Sequence, residues 1–468
     1  MTFMQRLVLQ PIRNSRFWFI PLWRSKLTDT PQRPAHPSIW EAFIYWLKLG
    51  FISFGGPAGQ ISMMHQELVE NRRWISERRF LHALNYAMVL PGPEAQQLAI
   101  YIGWLLHRTW GGIIAGTLFL LPSLFILSGL TYVYLAFGDL TFVQGIFAGI
   151  KPAVVAIVVF AAWRIGARAL KNNVLWGFAA ASFIAIFALR IPFPIIVLTA
   201  GLLGFIGSKI APDKFKVGGG HGASNKEYGP ALIDDDTPTP EHAKFKLSRL
   251  LIMTATFLAV WALGMWATLE VPVLKDMGAF FTKAALVTFG GAYAVLPYVY
   301  QGGVEHYQWL TGPQMMDGLA LGETTPGPLI MVVAFVGFIG GWSKEIFGTD
   351  SLLLAGFAGA CVATFFTFLP GYLFILAGGP LVEATHGDLK FTAPLTGITA
   401  AVVGVVLNLA LFFGYHVLWP NGFEGGFEWF YALMSIAAFI ALWKYKIDIM
   451  KVIGACAAVG LAYTLAFA

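Results

Sequence analysis

The chain has 468 residues, 57% hydrophobic, 15% aromatic and 12% charged, against roughly 25% charged in an ordinary soluble domain. That composition excludes a soluble globular protein and makes the bilayer the solvent. The formal net charge of +6 does not indicate a nucleic-acid partner, because the basic residues form no single long face; positive cytoplasmic loops explain it better.

Residues 1–38 carry Arg6, Arg13, Arg16, Arg24, Lys26 and Arg33, with Phe17, Trp18, Phe19 and Trp23 between them and no small-residue cleavage site. They read as a cytoplasmic interfacial arm rather than a signal peptide. The first transmembrane repeat, 39–211, opens with four short apolar pieces, 39–54, 58–71, 80–90 and 94–107. At about 1.5 Å per residue none crosses a ~30 Å core. This predicts re-entrant hairpins turning at "FGGP" and "PGP", with full crossing by some legs as the alternative. Apolar runs of spanning length follow at 112–137, 142–163, 174–189 and 195–210. Residues 212–249, with "GGGHGASN" and "DDDTPTP", predict a flexible cytoplasmic linker. A single connector span at 250–268 leads into a second repeat, 269–468, with spans at 352–376, 393–413, 429–443 and 447–467. Nine spans are expected in all.

The second half repeats the first. Adding 235 to Lys48, Phe54, Gly55, Gly56, Gln66, Val69, Glu70, Trp74, Leu84, Pro91, Gly92 and Pro93 gives Lys283, Phe289, Gly290, Gly291, Gln301, Val304, Glu305, Trp309, Leu319, Pro326, Gly327 and Pro328, with no gap. Farther on the offset becomes 248, pairing Pro122 with Pro370 and Gly149 with Gly397. The loops differ in charge. "RRWISERR" (72–79) and "RIGARALKNN" (164–173) are basic, whereas their counterparts "VEHYQWLTGPQMMD" (304–317) and "FFGYHVLWPNGFEGGFE" (412–428) hold no Lys or Arg. By the positive-inside rule the first pair faces the cytoplasm and the second the outside. The expected fold is therefore an all-α polytopic membrane protein of two inverted-topology repeats with broken helical hairpins, the odd connector span supplying the flip.

Proline is favoured as the first residue of a helix and disfavoured in its interior, so Pro57, Pro93 and Pro328 each read as the start of a returning leg, and the adjacent glycines permit the tight turn. Each such leg aims unpaired N–H groups and about half a positive charge at the bilayer middle. Ends of this kind bind anions. Convergence of as many as four of them is the arrangement expected of a secondary transporter, and exposed backbone in hydrocarbon is otherwise costly. The alternative is a kink that serves packing alone.

The stretches "SFGGPAGQ…VLPGPEAQQL" and "TFGGAYAV…TTPGPLIM" resemble the paired signatures of the chromate ion transporter (CHR) family, long-chain type, over roughly 40–467. The resemblance implies a multi-pass inner-membrane protein that exports chromate and so confers resistance to it. Chromate is a dianion close in size and charge to sulfate. Substrate-binding roles carry over to Gly55, Gly56, Pro91, Gly92, Pro93, Gly290, Gly291, Pro326, Gly327 and Pro328; Ala292 in place of Pro57 sets the two FGG turns apart. Candidate partners are chromate, sulfate, the lipid bilayer and a second copy of the chain in a homodimer, with no nucleic acid, cofactor or metal. Transport of sulfate or a related oxyanion is the competing reading, and an anion channel is another. A chromate reductase is not supported, since the sequence has no nucleotide fingerprint, CxxC or haem spacing.

Lys48 and Lys283, seven residues before the glycine pairs, would attract or hold the dianion, or else snorkel or pair with an acid. Glu94, in the first turn after the Pro-Gly-Pro break, is a proton-coupling candidate or a helix-end cap. Thr325 is a substrate-binding candidate whose hydroxyl would donate to an oxyanion or bond back to its own helix; Gln96 and Gln97 are similar. Arg72, Arg73, Arg78 and Arg79 would funnel anions or orient the hairpins, and Trp74 and Trp309 would anchor them at opposite interfaces. Cys361 and Cys456 are assigned to packing. Membrane-impermeant labelling of single cysteines at Arg72 and Val304 should mark opposite faces of the membrane; labelling of both from one face would overturn the inverted topology.

Overall fold

The computed structural model describes residues 33–54, 56–215, 228–289, 292–385 and 392–467. The expectations for residues 1–32, Gly55, Gly290 and Gly291 fall outside the described residues. Helices run in the order α1 (Ile39–Ile52), α2 (Gly56–His65), a π-helical turn (Gln66–Asn71), α3 (Glu77–Val89), α4 (Glu94–Phe137), α5 (Thr141–Ala169), α6 (Asn173–Phe187), α7 (Phe193–Ile210) and α8 (Leu247–Ala267). The second half continues with α9 (Pro272–Val287), α10 (Ala292–Tyr300), a second π-helical turn (Gln301–His306), α11 (Gly312–Thr324), α12 (Val332–Ser343), α13 (Leu352–Thr385), α14 (Thr392–Leu418), α15 (Trp429–Trp443) and α16 (Ile449–Phe467). The protein is an all-helical, multi-pass membrane protein.

Among the described residues seven helices, α4, α5, α7, α8, α13, α14 and α16, are long and apolar enough to span, against the nine spans expected. The other two, α6 and α15, have 15 residues each and reach only about 22 Å. The Asn172 side chain caps α6 at its start, and the turn that ends it carries Arg190 at φ 51°. Inside α4, His107 and Arg108 leave helical geometry, which divides it into two legs. The legs are closely packed, since a methyl group on Gly103 would stand 2.4 Å from the Gly111 carbonyl.

The duplication read from sequence is reproduced in local conformation. The bounds of α3 and α11, and of the two π-helical turns, differ by 235 at both ends. Arg73 (φ 53°) recurs as Gln308 (φ 52°), and Gly92 (φ 121°) as Gly327 (φ 107°). Side-chain caps at Ser76 and Thr311 open α3 and α11. The halves are also interleaved. A methyl group on Gly149 of α5 would come 2.2 Å from the Cys456 carbonyl and 2.8 Å from Gly460 Cα of α16, and one on Gly397 of α14 would come 2.5 Å from the Ala200 carbonyl and 3.1 Å from Gly204 Cα of α7. Small residues permit this approach where lipid offers no hydrophobic drive between helices.

Two expectations change. The described part of the linker is docked rather than free. Leu232 and Ile233 donate their amides to the Arg73 and Trp74 carbonyls, Ser76 donates back to the Ile233 carbonyl at 2.9 Å, Arg79 donates to the Thr237 carbonyl and His242 Nε2 to the Trp104 carbonyl at 2.9 Å. Trp74 and Trp309 are buried inside the protein, not placed at lipid interfaces. Arg72 lies over the rings of Tyr45 and Trp74, while Trp309 stacks on Phe281 and Tyr307.

Burial holds the His242 imidazole below its ordinary range; its bond to the Trp104 carbonyl and the charge of Glu383 oppose the shift, while Arg108 and Arg249 reinforce it. The docked strap thus favours neutral histidine, whereas a released strap titrates near about 6.5. Docking is fully present above that value and is lost as pH falls through it toward the lower docked value, because the released form binds the extra proton. Protection against hydrogen exchange across 228–243, corrected for the intrinsic pH dependence of amide exchange, should fall as pH is lowered from about 7.5 to about 5.5, and His242→Gln should remove most of that dependence.

Candidate anion site at the crossing of broken helices

α1 ends at Ser53 and α9 at Thr288, positions 235 apart, and the Pro-Gly-Pro turns at 91–93 and 326–328 interrupt the following hairpins. These four breaks meet. The Gly92 amide donates to the Thr288 carbonyl at 2.8 Å, and the Gly327 amide donates to the Ser53 carbonyl at 2.9 Å. Each half thereby closes the break of the other with the same bond. The residue choice follows from it: proline has no N–H, so glycine supplies the one amide of each triplet, and φ of 121° and 107° suits only glycine. Two of the amides expected to face a ligand are therefore engaged across the halves. The first helical bond of α4 runs from the Gln97 amide to the Pro93 carbonyl at 3.0 Å, which leaves the amides of Glu94, Ala95 and Gln96 ahead of it as orphan donors.

Polar side chains surround this crossing. Gln60 Nε2 donates to the Gly327 carbonyl at 2.6 Å and to the Ser53 carbonyl at 3.2 Å. Gln97 Nε2 donates to the Pro91 carbonyl at 2.7 Å. A methyl group on Gly327 would lie 2.6 Å from Ser123 Cβ, and one on Gly371 would lie 3.0 Å from Gln96 Oε1, so both legs of α4 and the wall of α13 reach the same place. Ser53, Gln60, Gln96, Gln97 and Ser123 have no solvent exposure. Among the described residues, both amide atoms of Gln96, the Oε1 atoms of Gln60 and Gln97, and the hydroxyls of Ser53 and Ser123 make no hydrogen bond of normal geometry, although the Tyr372 hydroxyl approaches the Gln96 amide. Buried groups of this kind cost about 1–3 kcal/mol each unless something bonds to them; Gln96 Nε2 and the Ser53 and Ser123 hydroxyls can donate to a tetrahedral oxyanion, whereas the three amide oxygens only accept and need a proton-bearing partner.

The lining belongs to the first half. At the equivalent positions the second half has Val295 for Gln60, Leu329 for Glu94, Met331 for Gln96, Val332 for Gln97 and, at the 248 offset, Gly371 for Ser123. Pro93, Pro326 and Pro328 are buried, Pro91 is half-buried, and Gly56 begins α2 at φ 71°. Glu94 is half-buried, with no hydrogen-bond or ion-pair partner among the described residues. Thr325 donates its hydroxyl back to the Gly322 carbonyl at 3.1 Å, and Glu323 accepts from Tyr293. Lys48 and Lys283 are exposed and stand outside the buried cluster. Of the arginine group, Arg72 pairs with Glu41 and Glu67 and Arg79 with Glu383.

Gln60 and Ser53 escaped the sequence reading, as did Asp317. This aspartate is 3% exposed, accepts from the Tyr134 hydroxyl at 2.9 Å and faces Lys151 Nζ at 3.8 Å. With Gln144 and Phe147 these residues line a cleft of ≈320 Å³. A polar residue opposite an apolar one in the internal alignment was the available signal: Gln60 against Val295.

Gly327→Ala should be among the most damaging single changes, combining about 1–3 kcal/mol of left-handed strain with the contact to Ser123. Adding Ser123→Gly relieves the contact but not the strain, so thermal stability in detergent should recover in part; full recovery would show that φ at this turn is unimportant.

Residues 40–205 and 275–461 match the family described as chromate transporter. The chain is 32% identical over 373 residues to a chromate transport protein of Cupriavidus metallidurans, covering 79% of this chain and 81% of that one. It is 30% identical over 464 residues to a chromate transport protein of Pseudomonas aeruginosa, covering 95% and 96%, and 29% identical to a probable chromate transport protein of Synechococcus elongatus, covering 81% and 86%. No solved structure matches it. With matched segments in both halves and this identity over most of its length, the chain belongs to the chromate transporter family.

Proposed function

We propose that this protein is a secondary transporter that exports chromate from the cytoplasm across the inner membrane, binding the dianion at the crossing of the four broken helices. The observation that carries the reading is the Gln96 side chain, fully buried beside two backbone breaks that close each other and making no hydrogen bond of normal geometry among the described residues, with the Tyr372 hydroxyl as a polar neighbour. The two repeats are inverted, so rocking one against the other opens the site to alternate faces. As the halves part, Gly92 and Gly327 exchange a carbonyl acceptor for an oxyanion. Lys48 and Lys283 sit five residues before Ser53 and Thr288, about 7.5 Å along their helices, and draw the dianion toward the mouths rather than hold it.

A dianion leaving a negative interior gains about 2.3 kcal/mol per charge per 100 mV, about 4.6 kcal/mol for two charges, so export runs on the membrane potential. Exchange for sulfate, one dianion for another, moves no net charge and would replace the potential as the driving force; Glu94 is the proton carrier, since its carboxylate would repel a bound dianion, and protonation, which removes the conflict, moves a proton together with the dianion. Transport of sulfate as the ordinary substrate is the second reading, because neutral donors distinguish poorly between two tetrahedral dianions.

Chromate flux into everted vesicles, with and without a pH gradient, tests these assignments. Gln96→Met, which copies the residue at 331, removes hydrogen bonds to a charged ligand worth about 1.5–3 kcal/mol and should cut flux about 10–100-fold at unchanged protein level. Flux equal to wild type would remove the site from the crossing. Glu94→Gln should abolish the response to the pH gradient while potential-driven flux persists; an intact response would exclude Glu94 as the carrier. Competition by sulfate equal to that by unlabelled chromate would favour the second reading.

A further inference from the structure

A second cation-lined cavity lies away from the crossing. It has a volume of ≈480 Å³ and is lined by Trp104, Arg108, Glu241, His242, Lys246 and Arg249. Three elements build it: the break between the two legs of α4, the docked strap and the first turn of α8. Glu241 is already paired with Lys244, and Arg249 donates to the His242 carbonyl. Arg108 and Lys246 have no hydrogen-bond or ion-pair partner among the described residues. The cavity therefore holds an excess of positive charge, with Lys246 in the field of Glu241 and Arg108 making no hydrogen bond or ion pair among the described residues.

Two further observations set it apart from an ordinary basic loop that merely orients helices. Arg108 is held at φ 56° and ψ −157°, a region essentially reserved for glycine, and strain of this kind persists only where the surroundings over-determine it. The feature also exists at one end of the molecule only: the residue equivalent to Arg108 is Ser343, and Lys246 and Arg249 belong to the linker and connector, which have no duplicate. The cavity is connected to the crossing by a single helical leg, since Arg108 follows Gln96 by 12 residues, about 18 Å along the axis.

Resting on the export reading above, we infer that this cavity is a cytoplasmic loading site, where Arg108, Lys246 and Arg249 capture a tetrahedral dianion before it passes to the crossing. The chemistry recognised is a tetrahedral oxyanion; cytosolic chromate and sulfate supply it as free dianions, and the singly charged phosphodiester of an anionic lipid headgroup is the rival source.

The test uses full-length protein in proteoliposomes, comparing wild type with Arg108→Gln and Lys246→Gln. With chromate applied to the cytoplasmic face, each variant should raise the half-saturating concentration about tenfold, the loss of one charge-assisted hydrogen bond, while flux at saturation is retained. With chromate applied to the opposite face, half-saturation should not change. Unchanged half-saturation at the cytoplasmic face, or an equal rise from both faces, would overturn the loading site while leaving export untouched. Liposomes of zwitterionic lipid alone serve as the second arm: if the effect of the variants disappears there and returns with phosphatidylglycerol, the cavity holds lipid and the inference is wrong. Binding is read independently of transport as chromate quenching of Trp104, taken as the difference between wild type and Trp104→Phe. Quenching that weakens in Arg108→Gln supports the site, and quenching that does not rejects it. A wild type that binds in this assay yet carries no chromate would fault the transport reading and not the cavity.

Discussion

Two backbone hydrogen bonds, Gly92 to Thr288 and Gly327 to Ser53, are the constraint from which the architecture follows. A membrane interior supplies no water to an interrupted helix, and an unpaired amide there costs several kcal/mol. Each Pro-Gly-Pro turn reduces the problem to one amide by using residues that carry none on either side, and the acceptor comes from the other half. Neither half can satisfy its own break. The same reciprocity recurs where α5 packs on α16 and α14 on α7 through paired glycine contacts, so the duplicated units are locked together both at the centre and along their long helices.

Once the backbone solution is shared, the side chains around it are free to diverge. The copies keep the turns, the π-helical segments and the left-handed positions, all of which answer backbone geometry. They do not keep the lining: Gln60, Glu94, Gln96 and Gln97 face Val295, Leu329, Met331 and Val332 in the duplicate. The substitutions run both ways, since Glu323, Thr324 and Thr325 before the second turn face Met88, Val89 and Leu90 before the first. A site built this way is unequal on its two sides even though the frame that carries it is nearly symmetric.

What could be read from the sequence was what depends on local rules. Proline and glycine punctuation located the breaks, apolar run length located the long spans, and a constant offset located the duplication. What could not be read depends on contacts between distant segments. The docking of 228–243 against Arg73–Ser76 rests on backbone bonds to which composition is blind, and a stretch rich in Gly, Asp, Thr and Pro looks like any tether. Trp74 and Trp309 carry the signature of interfacial anchors, yet aromatic neighbours that only the fold assembles bury both. Lys48 and Lys283 drew attention as charges in apolar helices, but their exposed placement depends on helix rotation, which periodicity left undecided. Gln60 offered no motif at all; its meaning comes from reaching Gly327 in the opposite half.

The exposure of both lysines bears on why the buried donors at the crossing are mostly neutral. A lysine ammonium in direct contact with a dianion in a low-dielectric interior would hold it strongly, since screening there is far weaker than in water. A carrier needs the reverse, binding favourable enough to enter and weak enough to leave. Amides and hydroxyls meet that requirement, because each contributes a modest bond. On the proposed binding mode, full charges belong at the mouths, where water would moderate their grip and let them raise the local concentration of anion without trapping it. The division between a neutral buried lining and cations at the periphery follows from the same dielectric argument that fixes the two glycine amides.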